Sequence, residues 1–271
     1  MTTLTSRSNP KIKHIRLLLQ QRKERDATGL FVVEGIRHVG EACAAHVQVE
    51  YICYAPDVLA SDFAQRLVSE QSGLGIPCYA VDRSVFAGLA EKENPQGILA
   101  VVRQSRLALE GLSTENFNWG VALVAPQDPG NIGSILRTID AVGASGLLLL
   151  DDPANHKFSA DPYHPNAVRA SMGAIFWHPL VSTTFASFVH WAQIHGYHIY
   201  GTSAHASQDY TAVARYEYPL ILLMGSEREG LTPEQSAACD VMLGMPMKGH
   251  ATSLNLAIAT GVMLYSILAK P

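Results

Sequence analysis

Three loops in the second half of this 271-residue chain combine glycine with polar side chains, and each follows an apolar run. The first reads APQDPGNIGSILRT, the second LLMGSEREGLTPEQ and the third MPMKGHATSLNLAIAT. Glycine lets a backbone approach a ligand closely. In open α/β sheets, ligands settle outside the carboxyl ends of strands. Such loops could cradle a phosphate or a nucleotide, but none has the standard spacing. GNIGS is not the GxGxxG of dinucleotide sites, and GSEREGLT lacks the lysine of a P-loop. No GxSxG elbow is present. HGYH (His195, His198) and HKFSADPYH (His156, His164) bring no third convergent ligand, so no metal site is expected. A single glycine loop is usually a turn or a helix cap. On that reading Asn131 caps the helix after the first loop, Ser253 caps the last helix and Glu227 is a solvated carboxylate. Three such loops at three strand ends weigh against it.

The elements that must position these loops are legible as short apolar runs. VALVA enters the first loop, a helical pattern leaves it, and GLLLLDD follows, which makes a βαβ unit. AIFWHPL, YHIYGT, LILLMG and VMLGMP read as further strands. Their uninterrupted apolar character predicts parallel strands covered on both faces. LNLAIATGVMLYSILA is too short and too polar for a membrane span and reads as a buried terminal helix.

The first part of the chain reads as a smaller α/β unit. Asn9-Pro10 opens a helix that places Ile12, Ile15, Leu18 and Leu19 on one face. FVVEG, VEYICYA, PCYAV and GILAVV read as strands, with helices over IRHVGEACAA and from about Asp62. The expected division is a first domain over 1–105, a linker over 106–118 and a second domain over 119–271. The net charge is −4, but residues 1–30 hold seven Lys/Arg against Glu24 and Asp26. A basic helix on an acidic body points to a polyanionic partner or to a solvated face. Cys43, Cys53, Cys78 and Cys239 are scattered, with no CxxC pair, so reduced cytoplasmic thiols are expected. The amino terminus has no apolar stretch of the signal-peptide kind.

QDPGNIGSILRTIDAVGA, NAVRASMGAIFWHP, LLMGSEREGL and MPMKGHATSLNLAIATGVMLY together resemble the ordered motifs of the SpoU-type (TrmH-like) RNA ribose 2′-O-methyltransferases of the SPOUT superfamily. The resemblance spans about Gly120 to Ala269. Asn9 to Arg103 resembles, more loosely, the substrate-binding domain such enzymes carry, which is similar to small ribosomal proteins that bind RNA turns.

The resemblance implies an α/β trefoil-knot domain with a parallel sheet, S-adenosylmethionine as cofactor, and a homodimer formed through the carboxyl-terminal domain. It implies structured RNA as partner, rRNA before tRNA, no membrane, and a cytoplasmic location. Carried over by position, Asn131, Arg137, Glu227, Ser253 and Asn255 form the catalytic set. Thr202, Gly225, Ser226, Met245 and Leu254 line the cofactor pocket, and Lys11, Lys13 and Arg16 meet RNA. A guanidinium is a donor rather than a base. Arg137 is therefore expected to clamp a phosphate and steady the alkoxide, with Glu227 orienting Arg137 or a cofactor hydroxyl. Arg169 and Ser171 read as packing or interface residues. A tRNA substrate, or a binding module without catalysis, is the alternative.

Overall fold

The computed structural model describes residues 3–89 and 95–270. Asn94, which opens the stretch NPQGILAVV, lies outside them. The chain forms two units. One contains the chain up to Ser105 together with Tyr163–Phe176, and the other contains Arg106–Pro162 and everything from Trp177 onward.

The first unit runs α1 (Pro10–Gln20), α2 (Arg22–Thr28), β1 (Leu30–Glu34), α3 (Ile36–Ala44), β2 (Val49–Tyr54), α4 (Asp62–Gly73), β3 (Cys78–Ala80), α5 (Arg83–Ala87) and β4 (Ile98–Arg103). Its sheet has the order β1-β4-β2-β3. β4 is antiparallel to both neighbours, and β2 and β3 are parallel. The side chain of Asn9 caps α1 by accepting from the Lys11 N–H at 2.9 Å. Ile12, Ile15 and Leu18 are fully buried. Arg25 is buried as well, and its Nη1 donates to the carbonyls of Leu18 and Leu19 at the end of α1. One of the seven cations counted in the basic segment is thus committed to the fold.

The second unit begins with β5 (Trp119–Val124), α6 (Pro129–Val142) and β6 (Gly146–Asp151). The chain then contributes α7 (Pro165–Ala170) to the first unit, where the rings of Tyr163 and Phe176 lie 4.7 and 6.3 Å from that of Phe31. NAVRASMG, read above as part of 119–271, therefore packs with the amino-terminal residues. Ser171 is buried, donates to the Val168 carbonyl at 2.7 Å and accepts from the Gly173 N–H. His38 Nε2 lies 3.2 Å from the Arg169 carbonyl.

The second unit resumes with β7 (Leu180–Thr184), α8 (Phe185–Ile194), β8 (His198–Thr202), β9 (Gln208–Asp209), β10 (Leu220–Met224), α9 (Pro233–Ala237), β11 (Val241–Gly244) and α10 (Leu256–Leu268). The sheet order is β7-β6-β5-β10-β8-β11-β9, with every pairing parallel. β5 and β10 are buried along their whole length, as covered parallel strands must be. AIFWHPL is not a strand throughout. Ala174–Phe176 forms a 3₁₀ turn, and β7 starts only at Leu180, beyond Pro179, which has no N–H to give to a ladder.

The stretch expected as a linker also differs from that reading. Leu109, Leu112 and Phe117 are buried in the core of the second unit. A Cβ on Gly120 would lie 2.0 Å from the Phe117 ring, and one on Gly146 would lie 2.9 Å from it. The ring thus occupies the space that glycine leaves on two neighbouring strands. Among the described residues, no helix is long and apolar enough to cross a membrane.

Candidate active site

The three glycine loops follow β5, β10 and β11, adjacent or near-adjacent strands of one parallel sheet, at their carboxyl ends. In the first loop Asp128, not Asn131, caps α6. Its Oδ1 accepts from the Gly130 N–H at 2.7 Å. The Asn131 amide is left for longer-range bonds, and it is buried.

Glu227, from the second loop, supplies one of those bonds. Its carboxylate accepts from the N–H groups of Gln127 (3.1 Å) and Asp128 (3.3 Å) and from Asn131 Nδ2 (3.2 Å). Asn255, from the third loop, supplies the other, donating from Nδ2 to Asn131 Oδ1 at 3.0 Å. Asn255, not Ser253, is also the cap of α10, its Oδ1 accepting from the Ala257 N–H at 2.9 Å and the Ile258 N–H at 3.3 Å. The direction of the chain follows. The cap needs the Asn255 oxygen, so its NH₂ must face Asn131, which in turn must aim its own NH₂ at an acceptor-only carboxylate. Three segments far apart in sequence are locked into one hydrogen-bonded series. None of the three residues is merely a cap or a solvated group.

Beside this series is a cavity of about 380 Å³. Thr202, Gly225, Ser226, Met245 and Leu254 all line it, with Glu227 and Ser253 at its edge. Those five positions come together from the end of β8 and the loops after β10 and β11. Gly225 is needed there. A Cβ on it would lie 2.1 Å from the Gly230 carbonyl carbon and 2.3 Å from the Leu231 nitrogen. The loop folds back there, with the Ser226 N–H donating to the Gly230 carbonyl at 3.2 Å. Sequence reasoning missed His205, Arg228 and Met247, which line the same cavity. Arg228 is adjacent to Glu227 and was readable from the motif. His205 and Met247 carried no signal beyond their place in a loop.

Arg137 stands apart. It is exposed and, among the described residues, has no hydrogen-bond or ion-pair partner. The expected contact with Glu227 is absent, and helix geometry gives the reason. Six positions at ~100° each put Arg137 about 240° round α6 from Asn131. Ser253 is exposed at the cavity edge. The three cations of α1 also separate. Lys11 is half-buried, its Nζ lying 5.1 and 4.6 Å from the ring centroids of Tyr51 and Tyr79. Lys13 is exposed and Arg16 half-buried, turned ~200° and ~140° round the helix from Lys11.

A parallel α/β sheet with a ligand-sized cavity among three strand-end loops, joined to a small mixed-sheet unit, defines a two-unit α/β protein with a small-molecule site. Residues 118–265 match the SpoU rRNA Methylase family, and residues 9–100 match an MRM3-like substrate binding domain. The chain belongs to the SpoU rRNA methylase family. It is 30% identical, over 98% of its length and 99% of the relative's, to the 23S rRNA (guanosine(2553)-2′-O)-methyltransferase RlmP of Bacillus subtilis. It is 32% identical, over 98% and 92%, to a 23S rRNA (uridine(2479)-2′-O)-methyltransferase of Streptomyces viridochromogenes. Among solved structures, the AdoMet-bound rRNA methyltransferase of Sinorhizobium meliloti superposes with a TM-score of 0.87 at 32% identity, covering 98% of this chain and 97% of the other.

Proposed function

We propose that this chain transfers a methyl group from S-adenosylmethionine to a ribose 2′-hydroxyl of large-subunit rRNA. The observation that carries the reading is the Glu227–Asn131–Asn255 series beside the cavity, in a chain whose curated relatives named above are 23S rRNA 2′-O-methyltransferases.

The cavity suits the cofactor. Its volume falls in the range of small-molecule sites. Met245, Met247, Leu231 and Leu254 offer apolar contact for an adenine. Among the described residues, Met247, Ser253 and Leu254 spend no backbone group on another hydrogen bond, which leaves donors and acceptors for a base edge. When bound, S-adenosylmethionine supplies a methyl group on a sulfonium, and in-line alignment with the 2′-oxygen suffices without a metal.

The residues of the chain do the aligning. Glu227 holds the first loop by two backbone N–H groups and fixes the Asn131 amide. Asn131 and Asn255 each keep unused hydrogen-bonding capacity for the target ribose. Ser253 offers a hydroxyl at the cavity edge. Arg137, exposed and without a protein partner among the described residues, grips the target phosphate with paired N–H donors. Positioning of this kind supplies roughly 7–11 kcal/mol in well-oriented systems. Lys13 and Arg16, with Lys11 behind them, hold the RNA on the first unit.

The same reading includes a trefoil knot in the second unit, a cytoplasmic site of action and a homodimer. Support for the dimer comes from α10, where Ile258, Tyr265 and Leu268 leave an exposed apolar stripe. Mapping 2′-O-methyl positions in total RNA from cells with and without the protein tests the substrate. One rRNA position should lose its methyl group in the deletion strain. An unchanged rRNA map with a lost tRNA mark would contradict the reading.

A further inference from the structure

We infer that Phe158 is a stacking platform for an unstacked base of the RNA substrate. The inference rests on the function proposed above and adds a specificity-determining residue to it. Phe158 follows a tight hairpin in which Asp152 and Lys157 exchange both backbone bonds, at 2.8 and 3.0 Å. The hairpin is strapped to the first glycine loop. Gln127 Nε2 donates to the Phe158 carbonyl at 3.0 Å and to the Ala125 carbonyl at 2.7 Å, while the Gln127 N–H donates to Glu227. The Ala160 N–H donates to the Pro126 carbonyl at 2.7 Å, and the Ser159 N–H to Asp151 Oδ1 at 2.7 Å. Lys157 pairs with Glu229, whose loop lines the cavity.

The backbone on both sides of Phe158 is therefore fixed against the first glycine loop, at Pro126 and Gln127. Phe158 nevertheless stays 55% exposed, next to buried Ser159. What sets Phe158 apart from the other exposed apolar residues is its rigid mount beside the first glycine loop. Structured RNA presents unstacked bases in its loops and bulges. Sequence-specific RNA recognition typically offers such bases an aromatic face. Phenylalanine has no hydrogen-bonding group, so it accepts a base by stacking alone, at the small entropic cost of two side-chain torsions.

The test compares Phe158→Ala, Phe158→Leu and Phe158→Trp with wild type, using a full-length 23S rRNA transcript as substrate. Alanine and leucine are expected to raise the KM for RNA by roughly 5- to 100-fold, the range set by loss of one base–aromatic stack. Tryptophan should restore a near-wild-type KM. The dissociation constant for S-adenosylmethionine and the oligomeric state should be the same in all four proteins. Wild-type KM in the alanine variant overturns the inference while leaving the methyltransfer reading intact. A leucine variant as good as wild type, or a variant that changes only the oligomeric state, also overturns it by making the ring a packing surface. Failure of the wild-type protein to methylate RNA ribose overturns both.

Discussion

Asn255 donates from Nδ2 to Oδ1 of Asn131 at 3.0 Å, across 124 positions of sequence, while its own Oδ1 caps the last helix. One side chain thus ties the start of α10 to the helix after β5. Asn255→Asp keeps the cap, since aspartate caps as well as asparagine. It also places an acceptor against an acceptor, or forces Asn131 to turn its oxygen toward Glu227. The expected outcome is turnover abolished with α10 still capped, the mismatched acceptors alone costing stability. Asn255→Ala removes both functions and should cost about 1–3 kcal/mol of stability as well, by the cap and by the unpaired buried oxygen. Thermal unfolding paired with single-turnover methylation separates the two effects.

Gly225→Ala should weaken cofactor binding at least ~10-fold, equivalent to ~1.4 kcal/mol. The added methyl group would meet main-chain atoms of Gly230 and Leu231, which cannot swing aside as a flexible side chain could. Titration calorimetry with S-adenosylmethionine reads the weakening directly. Unchanged affinity would mean that the loop relaxes without disturbing the cavity.

Arg137→Ala should abolish turnover and leave cofactor affinity nearly unchanged, since Arg137 does not line the cavity. Arg137→Lys should not recover full activity, because an ammonium cannot make paired planar contacts to a phosphate. Turnover assays with parallel calorimetry decide the matter.

The three cations of α1 should behave differently from one another. Neutralising Lys13 and Arg16 is expected to lower RNA affinity and to flatten its dependence on salt. The slope of log affinity against log salt should fall by ~0.7–0.9 for each phosphate left without a cation. Lys11→Ala should instead lower thermal stability, by ~0.5–2 kcal/mol, because its ammonium lies against the rings of Tyr51 and Tyr79. Filter binding across a salt series and thermal unfolding give the two readouts.

Much of the second unit was legible because its central strands β5, β6 and β10 are buried on both faces, so each is written as an apolar run. The cavity proposed for the cofactor was legible for the same reason, since strand-end loops carry its lining. Three features were hidden. RLALEGLSTENFNW is polar on average, which masked the three side chains, Leu109, Leu112 and Phe117, that anchor it. A charge count could not show that Arg25 is spent on the carbonyls that end α1. Two of the three partners of Glu227 are backbone N–H groups about 100 residues away, and backbone donors leave no mark in sequence. By contrast, the divergence of Asn131 and Arg137 was available from helix periodicity alone.

Methyl transfer to a ribose oxygen is the central claim. Incubating the protein with tritiated S-adenosylmethionine and a 23S rRNA transcript, then digesting the RNA to nucleosides, tests it most directly. Label is expected in a single 2′-O-methylated nucleoside. Label on a base would contradict it.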